Sequence, residues 1–283
     1  MTVTTSQLHA RRIWKRRLNS SLFYLLVIVS MLPFVLPFVW MLMNSLKNAL
    51  DITAIPPKLV FVPTLQNYRK IVSDPNLLLY FRNSAIIALG STSLGLILGL
   101  PAAYSIARYR QSQLSLGVLL ARIIPGMSLL VPWFIFFTFT RLRDTLVAMT
   151  ATHLTITLPL AIWIMIGFFE DFPRELEDAA VVDGCSVTGA LLRVAVPIVM
   201  PGIIVSFILG FTFSWNNFLY SMMIGGPATR TLPVVAYNQI DMYRTDWGAM
   251  AASAFVLTLP VLLITLFVQR YIVRGLTFGA VKG

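Results

Sequence analysis

Charge is scarce in this chain. Only 12% of its 283 residues are Asp, Glu, Lys or Arg, about half the share of a soluble domain. With 57% apolar residues and a mean hydropathy of +0.79, it cannot hide its surface from water, so the bilayer is its expected solvent. Cysteine is almost missing. A lone Cys185 excludes an intramolecular disulfide and a cysteine-built metal site. His9 and His153 are far apart and lack the neighbours that a metal site needs. No GxxxxGK[ST] loop is present, so ATP is not bound by that route, and HExxH and GxSxG are absent too. No cofactor and no catalytic constellation are expected in this chain, so an enzyme is not the reading. No charged pair lies inside an apolar run, which weakens a proton- or sodium-driven carrier. The net charge of +11 would suit nucleic acid, but Lys and Arg stand at the ends of apolar runs. Membrane topology demands that placement, and a nucleic-acid binder would gather them on a polar domain.

What is present is a series of apolar runs. Arg11, Arg12, Lys15, Arg16 and Arg17 close a polar segment over 1–20, directly before a run over 22–43. That run is longer than a signal-peptide core and no small-residue cleavage site follows, so a retained helix is expected. Further spans are expected at about 83–107, 114–139, 146–169, 201–224 and 248–268, within a membrane domain over 21–272. A tail follows over 273–283. Six spans put both termini on one side. Counting Lys and Arg favours a cytoplasmic N-terminus only narrowly, and the first cluster decides it. The fold expected is therefore all-α and integral to the inner membrane, in contact with lipid. Pro33 and Pro37 inside the first span suggest packing in a bundle, and Gly90, Ser91, Ser93, Gly95 and Gly99 suit close helix contact in the second. Arg122 lies at depth in the third span; its place near the inner end favours snorkelling over function.

The polar interval 170–197, between the fourth and fifth spans, is too long for a connector. Between Glu170 and Asp183 it holds Glu170, Asp171, Glu175, Glu177, Asp178 and Asp183 against a single Arg174. An acidic face on a short amphipathic helix is repelled by the negative inner leaflet, which favours a protein partner over lipid. Asp183-Gly184 suits a turn between two helices; alternatively Asp183 caps the helix that begins near Ser186.

Glu177, Ala179, Ala180, Asp183, Gly184 and Pro197 stand in the order of a coupling motif, and the interval resembles that of permease subunits of ABC importers. Asp178, Cys185 and Val196 depart mildly from the usual pattern. Ser45-Leu46-Lys47 with Asn67-Tyr68, Trp215-Asn216 with Phe218-Leu219-Tyr220, and the ending Gly275-Leu276-Thr277 with Gly279 to Gly283 resemble the carbohydrate group, in the subunit similar to the second maltose-type permease. The resemblance implies a heterodimer with a second permease and two cytoplasmic ATPase subunits that carry ATP and Mg2+. It also implies an extracytoplasmic binding protein that delivers a sugar-like solute. Glu177 to Gly184 would sit in an ATPase cleft, and Lys282 and Gly283 would reach the ATPase interface. Trp215, Asn216, Asn217 and Tyr220 offer flat apolar faces, amides and a hydroxyl that suit a sugar; packing between helices accounts for the same residues. A self-contained secondary carrier with a long regulatory loop is the alternative function.

Overall fold

The computed structural model describes the backbone of residues 5–240 and 245–278, and side chains over 20–240 and 245–267. A chain in lipid must satisfy its own backbone N–H and C=O groups. Accordingly the described residues are helical, with one isolated bridge between Ile240 and Thr245. In chain order the helices are α1 (Thr5–Ser45), α2 (Gln66–Val72), α3 (Leu77–Arg108), α4 (Ser112–Ile123) and α5 (Leu130–Phe139). Then follow α6 (Leu146–Glu170), α7 (Arg174–Val182), α8 (Val187–Ile198), α9 (Met200–Trp215), α10 (Leu219–Met223), α11 (Leu232–Tyr237) and α12 (Trp247–Phe278).

Four of these are long and apolar enough to cross a membrane: α1 over Ser20–Ser45, α3, α6 and α12 over Trp247–Phe267. Two bent pairs bring the number to as many as six. The third apolar run is not one straight rod. At Ile124-Pro125 the chain leaves helical geometry, and Gly126–Phe139 turns 86° from Ser112–Ile123. The chain turns 75° between α8 and α9, at the start of the fifth run. That run stops at Asn216, where the helix gives way to Asn217 and Phe218 before α10.

The centre of the bundle is α3, α6 and α9. Gly95 and Gly99 let α3 lie against α6: a Cβ on Gly95 would stand 3.1 Å from the Thr157 hydroxyl, and one on Gly99 3.3 Å from Ala161. A polar latch crosses the same contact. His153 Nδ1 and Ser91 Oγ lie 2.7 and 3.0 Å from Ser214 Oγ, and Thr157 donates to the Ser91 carbonyl.

At the end of α1, two sequence motifs meet. Asn67 Nδ2 donates to the carbonyls of Ser45 and Lys47, helix-end groups with no partner of their own, and Tyr68 bonds Ser45 through its hydroxyl. Lys47 is buried, with its ammonium over the rings of Trp40 and Phe61.

On the same side, the loop 225–231 is held by side chains from two helices and a turn. Asp144 accepts the N–H groups of Gly226, Ala228 and Thr229 and the Thr229 hydroxyl. Asn83 donates to the carbonyls of Ala228 and Arg230, and Ser84 and Ser221 accept from Leu232 and Thr231. Partial burial pushes the Asp144 carboxyl up, but these donors outweigh it and hold its pKa below the ordinary value. The consequent stabilisation is present above the unfolded carboxylate's pKa of about 3.9 and is lost as pH falls through the lowered folded value. Hydrogen exchange of residues 225–231 should therefore be slow at pH 7 and should accelerate only well below pH ~4, while Asp144→Ala should accelerate it at pH 7. Equal protection in the variant would remove Asp144 from this role.

Candidate functional site

Residues 174–198 form a closed corner at the Arg108 end of α3. After Pro173, which starts α7 without a side-chain cap, Glu175 and Glu177 occupy the first turn, where the helix dipole favours acids. The helix stops in a Schellman motif. Gly184 N–H donates to Val181 and Cys185 N–H to Ala180, with Gly184 at φ +92°. Asp183 is the last residue before that glycine, and the next helix is capped by Ser186, whose hydroxyl accepts the Gly189 N–H. Thus Asp183-Gly184 forms the turn, and the alternative cap by Asp183 gives way to Ser186. Pro197, which is exposed, has no N–H to give the Arg193 carbonyl; the helix widens into a π turn over Leu191–Ala195 immediately before it. Leu191 and Ala195 are buried against Tyr104, Ala107, Phe169 and Phe172, which ties the corner to the ends of α3 and α6.

Glu177 does not face outward. It is 3% exposed, with its Oε2 2.7 Å from Arg108 Nη2. That oxygen has no hydrogen bond of good angle, so charge holds it. Arg108 also reaches Asp178 at 3.1 Å, and Arg174 donates back to the Arg108 carbonyl at 3.0 Å. A cavity of about 450 Å³ lies beside the pair, lined in part by Tyr104, Arg110, Gln111 and Phe172. Ala180 is buried beneath the helix and Ala179 is exposed on it. The outward face carries apolar side chains instead of acid alone: Val182 is 86% exposed, with Leu176, Val181 and Val187 also open. Arg108 escaped the sequence reading because its only signal was position at the inner end of an apolar run. Lys282 and Gly283 lie outside the described residues.

A second cavity, about 380 Å³, opens where α4 breaks. Arg122, Thr155, Asn217 and Tyr220 supply its polar groups among apolar walls such as Leu160 and Phe213. Tyr220 is buried; its hydroxyl lies 3.5 Å from the Gly126 carbonyl and 3.4 Å from Thr155 Oγ1. Arg122 is exposed in the single chain. Its guanidinium lies 4.4 Å from the centre of the Trp163 ring, in the last turn of α4, where helix-end carbonyls favour a cation. The other two sequence candidates are elsewhere. Asn216 is exposed and returns its amide to the Thr212 carbonyl. Trp215 is 2% exposed, stacked on Phe211, with its indole N–H donated to the Leu257 carbonyl in α12. Trp215→Phe should therefore lower the melting temperature of the purified assembly by several degrees, through one lost buried hydrogen bond of about 1 kcal/mol and lost volume, while the ranking of transported solutes stays the same. A changed ranking would mean that the indole meets solute.

Comparison with known proteins gives this geometry a setting. A solved bacterial ABC transporter that imports the acidic polysaccharide alginate shares the fold, with a TM-score of 0.71 at 16% identity over 96% of this chain and 99% of that one. The permease protein SmoH of the sulfoquinovosyl glycerol transport system of Agrobacterium fabrum is 36% identical over 253 residues, 87% of this chain and 88% of the relative. SugB, the trehalose transport permease of Mycobacterium tuberculosis, is 35% identical over 88% of this chain and 92% of its own length. The inner membrane ABC transporter permease YcjP of Escherichia coli is 32% identical over 95% and 99%. The profile of binding-protein-dependent transport system inner membrane components matches residues 95–278. On these grounds the chain belongs to that family, the multi-pass inner-membrane components of binding-protein-dependent transport systems.

Proposed function

We propose that this chain is the permease subunit of an ATP-driven ABC importer for a sugar or sugar-like solute, with α7 and the turn after it as the docking knob for an ATPase subunit. The observation that carries this reading is the two-sidedness of α7. Its acid, Glu177, is turned inward onto Arg108 of a central helix, while Val182 and Val187 are offered outward beside the Gly184 turn. A helix that merely lay on lipid would not place an acidic, half-apolar face outward. An element gripped by a partner and tied to a span is what converts a partner's closure into a rotation of the bundle.

On this reading ATP and Mg2+ belong to two separate cytoplasmic ATPase subunits. A second permease completes the solute path as a heterodimer, and an extracytoplasmic binding protein delivers the solute. On the same reading both termini are cytoplasmic. Of the four aromatic and amide candidates, we assign Asn217 and Tyr220 to the solute path, because they line the cavity at the α4 break. The trehalose and sulfoquinovosyl glycerol systems among the relatives support a glycoside-like cargo. A self-powered carrier finds little support, since among the described residues no Asp or Glu lies inside a candidate span short of its end.

The test is purification of the tagged chain from membranes. Co-elution of an ATPase and uptake that requires ATP are expected. A chain that emerges alone and moves solute without ATP would overturn the proposal.

A further inference from the structure

We propose that the solute carried along the α4-break cavity bears an anionic group, a carboxylate, sulfonate or phosphate on a sugar, and that Arg122 contacts it. This rests on the reading of that cavity as part of the solute path.

The chemistry of the lining carries the inference. Arg122 is the one charged residue among those that line the cavity, and no carboxylate is among them. Among the described residues none stands within ion-pair distance of its guanidinium either. Trp163, its stacking partner, is seven residues from the Glu170 end of α6, about 10 Å along the helix. Arg122 lies within the third apolar run and is exposed in the single chain, and charged residues within such spans mark solute and ion pathways. The Arg122 guanidinium lies 4.4 Å from the centre of the Trp163 ring, and both side chains are exposed in the single chain. A guanidinium presents its N–H groups as a planar fork that matches carboxylate, sulfonate and phosphate oxygens.

The neighbouring amide has the same bias. Asn217 Oδ1 already accepts the Tyr220 backbone N–H at 3.0 Å, so Nδ2 is the group that Asn217 has to offer. The Thr155 hydroxyl donates to the Thr152 carbonyl at 2.6 Å and so offers the cavity an acceptor, while the Tyr220 hydroxyl lies 3.5 Å from the Gly126 carbonyl. A neutral sugar needs acceptors and donors in similar measure for its hydroxyls. This cavity instead sets one positive charge and the Asn217 amide N–H group among its polar lining, with no carboxylate opposite. Its volume, about 380 Å³ in the single chain, is within the range of small-molecule sites.

The experiment uses the complete importer in proteoliposomes with its binding protein, and compares ATP-driven uptake of trehalose, a methyl glucuronide, sulfoquinovosyl glycerol and glucose 6-phosphate. Thermal shift of the binding protein with the same four compounds gives an independent readout. Expected are a shift and uptake with at least one anionic compound in preference to trehalose; which one identifies the carboxylate, sulfonate or phosphate. Arg122→Gln should lower uptake of that compound about tenfold or more, the usual consequence of losing a charge-assisted hydrogen bond. Arg122→Lys, which keeps the charge, should retain more. Binding-protein-stimulated ATP hydrolysis by the Arg122→Gln assembly reports that it is folded and coupled. Import of trehalose with no anionic compound accepted overturns this inference alone. So does undiminished anionic uptake by Arg122→Gln, which would leave Arg122 as a packing partner of Trp163. ATP-dependent uptake of none of the four by an assembly that hydrolyses ATP overturns this inference alone; a chain that carries solute without any ATPase overturns the importer reading on which it rests.

Discussion

An importer carrying Arg108→Glu is expected to lose ATP-driven uptake at least about tenfold, and adding Glu177→Arg is expected to restore much of it. Glu177 is nearly buried and Arg108 mostly so, so reversing either charge leaves two like charges in contact where water cannot screen them. Breaking such a pair from one side costs about 3–5 kcal/mol. That is enough to free α7 from α3 without unfolding spans that are held by the α3–α6–α9 core. The informative readout is therefore the ratio of solute imported to ATP hydrolysed. If the pair transmits motion, the single variants hydrolyse ATP with little import, and the swapped pair recouples them. If the pair only stabilises, amount in the membrane falls and the ratio is unchanged. Normal uptake by both single variants would remove the pair from the coupling route.

Gly184→Val is the second large effect. At φ +92° a β-branched side chain is strained wherever its atoms go, although nothing lies within 4 Å of where its Cβ would stand. The cost is backbone strain of about 1–3 kcal/mol, relieved by unwinding the Schellman turn. Unwinding releases the N–H groups of Gly184 and Cys185 from Val181 and Ala180 and moves Val182 and Val187 off the docking face. Uptake should fall at least about tenfold while membrane insertion is normal, because the turn lies outside the core. Gly184→Ala, with less bulk at the same φ, should be intermediate. Uptake equal to the parent with Val at this position would mean that the turn need not hold its shape.

Where helices run is written in hydropathy, since lipid leaves the backbone few choices. Prolines were less readable. Pro33, Pro37, Pro101, Pro159 and Pro260 lie inside continuous helices, yet at Pro125 the chain breaks. Burial within the chain does not separate the cases, since the first span around Pro33 and Pro37 is exposed and yet continuous. The Gly184 turn could be read locally, because a positive φ selects glycine. The inward turn of Glu177 could not, because its partner stands 69 residues earlier and an acid on an amphipathic helix ordinarily faces water. Trp215 and Asn217 adjoin in the same polar-aromatic string, yet one is packed against α12 and the other lines a cavity. The helix ends between them, and that geometry separates their roles.

Cys185 gives the most direct test of α7 and its turn as the ATPase docking site. It is the only cysteine, half-buried, and follows Gly184. Membranes holding the full importer can be treated with a thiol-reactive maleimide before and after the ATPase subunits are stripped away. The docking account predicts slow labelling of Cys185 in the intact assembly and a rate at least about tenfold higher once the ATPase is gone, as burial controls thiol access. The same rate in both preparations would contradict it.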